Sequence, residues 1–156
     1  MTKLLKTKIF FLMILFLGIL GWAGSSHAAA TITAQSCNNT AALPHVQAAV
    51  NAANPGDTVV VPAGSCTWTS RLTITKGIIL KGAGITETII TAGLDGDDSS
   101  TGDGNYLVVY TPATPANNET FRLTGFTFDC ASRIQALKLE NETLNILNKI
   151  RIDHNK

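Results

Sequence analysis

The chain has 156 residues, 45% of them hydrophobic, and 12 lysines and arginines against 11 aspartates and glutamates leave a formal charge of only +1. With no basic cluster anywhere along it, the sequence excludes nucleic-acid binding of the usual electrostatic kind. The length suits one domain with a core of ordinary size and leaves no room for a second.

At the start, Lys3, Lys6 and Lys8 precede the apolar run from Ile9 to Leu20, and small residues fill Gly24 to Ala30 apart from His27. Charged, apolar and small segments in that order predict a cleaved signal peptide over residues 1–30. The apolar run is shorter than the ~20 residues that span a bilayer, so no membrane association is expected once the leader is gone. Ser26-His27-Ala28 and Ala28-Ala29-Ala30 both offer the small residues that signal peptidase needs, so the cut is expected after Ala28 or Ala30. A lipoprotein cleavage point would need a cysteine, and Cys37 has no apolar residue in front of it. The expected destination is outside the cell, or the periplasm if the source is a Gram-negative bacterium. The leader takes three lysines with it, and the mature chain is slightly acidic.

Export permits disulfides, and Cys37, Cys66 and Cys130 are the candidates. Cys37 and Cys66 fall early in the mature chain, where a bridge would tie down its leading segment. Cys130 would then be a buried free thiol or would pair elsewhere, and spacing alone leaves the connectivity open.

Residues 31–57 form the leading segment. Within it Val46, Ala49, Val50 and Ala53 recur at helical spacing, Pro44 suits a first turn and Asn54-Pro55-Gly56 ends the run, which predicts a short amphipathic helix over 43–53. From 58 to 156 the pattern changes to short β-rich runs between turn residues: 58–61, 72–74, 78–80, 88–91, 106–110, 121–128, 136–139 and 149–152. A weakly patterned stretch at 140–148 offers the nearest thing to a second helix. The fold class is therefore all-β. Nearly continuous apolar runs such as Val59-Val60-Val61 and Ile78-Ile79-Leu80 argue for strands buried on more than one side. Their recurrence at intervals of about 20 residues suits a solenoid, with a sandwich as the alternative.

Two stretches bear on that choice. Val46-Gln-Ala-Ala-Val-Asn-Ala-Ala-Asn-Pro-Gly-Asp-Thr-Val-Val-Val-Pro-Ala-Gly-Ser-Cys66, followed by Leu72-Thr-Ile-Thr-Lys-Gly-Ile-Ile-Leu-Lys-Gly-Ala-Gly84, resembles the opening of right-handed parallel β-helix proteins of the pectate-lyase-like superfamily. The resemblance covers residues 46–84 and is specific for fold rather than activity. It implies a parallel β-helix, with the short α-helix capping the first coil. Gly125 to Cys130 is expected as a third rung and Lys149 to Asn155 as a fourth, with 136–139 on a second face. After about three to four coils the chain stops without a polar cap. The expectation is either a leading fragment of a longer protein, with most catalytic residues beyond Lys156, or self-association through the open C-terminal coil.

Few residues suggest chemistry. The stretch from Asp95 to Asn105 carries Asp95, Asp97, Asp98 and Asp103 among glycines, a set that could wrap calcium. It departs from the EF-hand pattern, with Ser100 in the glycine position and Tyr106 in that of the bidentate glutamate, and a solvated loop accounts for it as well. Asp129, Asp153 and His154 lie at strand ends, and Ile152-Asp153-His154 is similar to a stretch of pectate lyases. In those enzymes acidic residues hold calcium against uronate carboxylates, while an arginine or lysine removes a proton. Arg151, two residues before Asp153, would share its face of a strand. Arg151, Asp153 and His154 are thus the catalytic candidates, against the plainer reading of a surface ion pair. Trp68, Tyr106 and Tyr110 could stack on sugar rings if exposed, or pack within a coil. Asn38, Asn118 and Asn141 each begin a glycosylation tripeptide, which matters only in a glycosylating host.

The expected function is that of an exported protein acting on or binding polysaccharide, an enzyme of the lyase or glycoside hydrolase kind if it is one. The alternative is a non-enzymatic surface or adhesive protein binding glycans or neighbouring subunits. The architecture hosts both.

Overall fold

A computed structural model describes residues 28–94, 106–113, 119–130, 134–141 and 149–156. The expected signal peptide up to His27, the acidic stretch with Asp95, Asp97, Asp98 and Asp103, and the weak pattern from Glu142 to Asn148 lie outside the described residues.

The described residues form one α-helix, α1 (His45–Ala52), and the strands β1 (Thr31–Thr33), β2 (Thr58–Val61), β3 (Gly64–Trp68), β4 (Leu72–Ile74), β5 (Ile79–Gly82), β6 (Thr88–Ala92), β7 (Tyr106–Tyr110), β8 (Phe121–Thr124), β9 (Thr127–Asp129), β10 (Gln135–Leu139) and β11 (Ile150–Asp153). These make three sheets, ordered β1-β2-β5-β8-β11, β3-β6-β9 and β10-β7-β4. Every described strand pairing is parallel. From β2 onward, successive strands step through the three sheets in a fixed rotation, so each strand pairs with one three elements away. Such an arrangement is compatible with a β-helix or other solenoid.

Side chains explain the stacking. Alternate residues of β2, β5 and β8 point inward, and the register aligns Val59 with Leu80 and Leu80 with Leu123, all buried. In the β10-β7-β4 sheet Leu72 faces Val108, and Ile74 faces Tyr110. Tyr110 in turn stacks on Phe121 of the five-stranded sheet, their ring centroids 4.2 Å apart, so the sheets share one apolar interior.

Several sequence expectations are corrected. The run 121–128 is two strands in different sheets, broken at Gly125, whose φ of +83° lies in the left-handed region. There the backbones approach closely: a Cβ on Gly82 would lie 2.2 Å from the Gly125 carbonyl oxygen. Consequently Gly125 to Cys130 is not the third rung of the first sheet; that place belongs to β8, which pairs with β5 and β11. Two strands went unrecognised. β1 joins β2 from within the leading segment, and β3, Gly-Ser-Cys-Thr-Trp, has no apolar run but pairs with β6 along its whole length.

The helix buries Val46, Ala49 and Val50 and packs against β1, β2 and β4. Its first turn has no side-chain cap from Pro44. Buried Asn39 supplies one from outside the helix: its Oδ1 accepts from the Gln47 N–H at 3.1 Å, while its Nδ2 donates to the Ser70 carbonyl at 3.0 Å. At the other end the Lys76 ammonium donates to the Asn51 and Ala53 carbonyls, a favourable charge for a helix C-terminus. A disulfide joins Cys37 to Cys66, Cα atoms 5.8 Å apart, and Trp68 Nε1 donates to the Cys37 carbonyl at 2.7 Å. Gly64 leaves room for the bridge, because a Cβ there would stand 2.6 Å from Cys37 Sγ.

Candidate functional site

The outward side chains of the five-stranded sheet form two columns. Register places Thr31, Thr58, Ile79, Arg122 and Arg151 in one, and Thr33, Val60, Lys81, Thr124 and Asp153 in the other. Hydroxyl and apolar side chains occupy the β1 and β2 end, and the charges gather on β5, β8 and β11. Neighbouring strands stand about 4.8 Å apart, which brings Arg122 and Arg151 side by side.

Asp153 holds those two cations together. Arg122 grips it with two parallel hydrogen bonds, Nε to Oδ1 at 3.0 Å and Nη2 to Oδ2 at 2.9 Å. Arg151 Nε lies 2.7 Å from Oδ2, and His154 Nδ1 lies 3.3 Å from the same oxygen. The hydrogen bonds from Arg122 hold the Asp153 carboxyl well below the usual carboxylate range; desolvation opposes them, and Thr124 and the two arginine charges add to the depression. Reciprocally, its hydrogen bonds to Asp153 raise the Arg122 pKa. An anion so engaged is no proton donor at neutral pH, and both of its oxygens already accept from cations.

Backbone geometry fixes this end of the sheet. His154 takes a φ of +53° beside Gly125, to whose N–H its carbonyl accepts at 3.0 Å. Asn155 follows as a latch: its Oδ1 accepts from the Phe126 N–H at 3.0 Å and its Nδ2 donates to the Leu123 carbonyl at 2.9 Å. Asp153 is thereby held over β8, whereas the side chain of Arg151 is 64% exposed and that of His154 is 75% exposed.

Of the sequence candidates, Arg151, Asp153 and His154 come together. Asp129 does not join them, because it ends β9 in another sheet. Among the described residues no three His, Cys, Asp or Glu side chains are grouped as a metal site would require. Trp68 and Tyr110 are fully buried and unavailable to a sugar ring, while half-buried Tyr106 has the Lys138 ammonium 5.7 Å from its ring centroid. Two residues of the face escaped sequence reasoning, Arg122 and Lys81. Their signal was the alternation of Phe-Arg-Leu-Thr and Ile-Leu-Lys-Gly, and it acquires meaning only when the strands are set in register.

No family model matches the chain, and neither does any curated protein. Among solved structures it is similar to Geobacillus virus E2 ORF18, at 22% identity and a TM-score of 0.44. The likeness covers 61% of this chain and 21% of that one, so the chain spans about a fifth of the viral protein.

Proposed function

We propose that this chain is an exported right-handed parallel β-helix whose flat outer face binds polysaccharide, acidic polysaccharide in particular. One observation carries the reading: Lys81, Arg122 and Arg151 stand on a single face of the five-stranded sheet, where Asp153 is the carboxylate that the two arginines share. Cations exceed anions there, and Arg151 and Lys81 are exposed to a ligand. A flat row of cations at strand spacing meets a linear polyanion without a closed pocket. The rotation of strands through three sheets supports the β-helix. Its right hand, the signal peptide and the link to pectate-lyase-like proteins rest on the sequence resemblance and the charged leader.

Binding fits this face better than catalysis, because the carboxylate that would serve a base or a metal is committed to two arginines. Affinity electrophoresis of the exported protein through gels containing polygalacturonate, alginate or neutral dextran tests the proposal. Retardation by the acidic polymers is expected, weakening as salt rises and falling in Arg151→Gln. Equal mobility in all three gels refutes it. Release of unsaturated uronate in an ultraviolet assay, abolished by Arg151→Gln, would establish the lyase instead.

A further inference from the structure

The export reading leaves two chemically acceptable cuts, after Ala28 and after Ala30, and the fold distinguishes their products. Ala30 is bonded on both sides. Its N–H donates to Asp57 Oδ1 at 2.7 Å, and its carbonyl accepts from the Thr58 N–H at 2.8 Å, extending the β1–β2 ladder by one step. Asp57 is fully buried. Its Oδ2 accepts from the Asn54 N–H at 2.7 Å and its carbonyl accepts from the Ile79 N–H at 2.9 Å, so one residue ties together the entry to β1, the turn after α1 and the start of β5. Ala28, Ala29 and Ala30 are all exposed, so it is these two backbone bonds, and not burial, that set Ala30 apart.

We infer that the mature protein begins at Ala29, the bond between Ala28 and Ala29 being the processing site and Ala30 the first residue the fold requires. Hydrolysis there leaves the carboxylate on Ala28 of the released leader and a new ammonium on Ala29. That ammonium stands one residue from the Asp57 carboxylate, an attractive placement. A cut after Ala30 would remove both bonds at that residue and put the new charge on Thr31, already in register with Thr58. Peptidase meets the chain before it folds, and Ser26 and Ala28 satisfy it as well as Ala28 and Ala30 do. Stability then selects between the products, since chains that open more often are degraded faster. The inference rests on the signal peptide proposed above, and its test separates the two.

The test is to express the full precursor in a Gram-negative host, recover the exported protein and measure its intact mass. A chain starting at Ala29 is expected. One starting at Thr31 overturns the inference and leaves export standing, whereas an uncut precursor overturns both. Ser26→Lys then bars the cut after Ala28. Loss of processing, or a product starting at Thr31 that melts a few degrees lower, supports the inference. A Ser26→Lys product with the wild-type mass, or one starting at Thr31 with an unchanged midpoint, overturns it.

Discussion

Removing the Cys37–Cys66 bridge by the double substitution Cys37→Ala and Cys66→Ala should cost about 3–4 kcal/mol. The sequence separation of 29 sets the size: closing a loop of that length removes about 12 cal/mol/K of chain entropy from the unfolded state. Against a whole-domain stability of about 5–15 kcal/mol that is a large share. The bridge anchors the strap between β1 and α1 to β3, and the indole of buried Trp68 reports on it through its bond to the Cys37 carbonyl. Trp68 and Trp22 are the two tryptophans of the chain, and the proposed processing after Ala28 would remove Trp22. Urea unfolding followed by tryptophan fluorescence therefore reads this region directly. The double variant should unfold at clearly lower urea with a similar slope. Gly64→Ala supplies a second arm: its Cβ would meet Cys37 Sγ at 2.6 Å, so the substitution should harm the bridged protein more than the double-alanine background. A φ of +156° leaves some penalty in both backgrounds. Loss of under about 1 kcal/mol on removing the bridge, together with equal Gly64→Ala penalties in the two backgrounds, would refute the reasoning.

Gly82→Ala should destabilise by about 3 kcal/mol or more, because its Cβ would stand 2.2 Å from a backbone oxygen that has no rotamer to escape into; thermal unfolding measures it, with exposed Lys81→Ala expected within about 0.5 kcal/mol of wild type. Asn39→Ala strands the Gln47 N–H and the Ser70 carbonyl, and a loss of about 2–3 kcal/mol in urea unfolding is expected. Asp153 gives a pH dependence. Its folded-state pKa is depressed, so its contribution is complete above the unfolded value of about 4 and disappears as pH falls through the lower folded value. Urea midpoints taken from neutral pH downward should therefore drop less steeply in acid for Asp153→Asn than for wild type, and parallel curves would contradict the assignment.

The class of fold and many of its pieces were legible in the residues themselves. Runs such as Thr58–Val61, Leu72–Ile74 and Tyr106–Tyr110 stand as strands with the expected bounds, and the stripe of Val46, Ala49 and Val50 is the buried face of a helix. Those signals are local, set by side-chain periodicity and by glycine and proline between elements. The site was half legible: Arg151 and Asp153 share a strand, and alternation alone puts them on one face.

Pairing across strands was a different matter. Parallel ladders bond backbone to backbone and leave no mark on the side chains that make them, and the intervals between partners are unequal, Thr58 aligning with Ile79, Ile79 with Arg122 and Phe121 with Ile150. No fixed period could have found Arg122 for Asp153. For the same reason β3 needed β6 beside it to become a strand, and Phe121 to Phe128 needed the close approach of Gly82 and Gly125 to break into two. What the sequence determined alone was which residues prefer to be inside, since that follows from hydrophobicity and local spacing. Which rung each would occupy, and with it the partner of every charge on the outer face, was decided by the stacking of backbones distant along the chain.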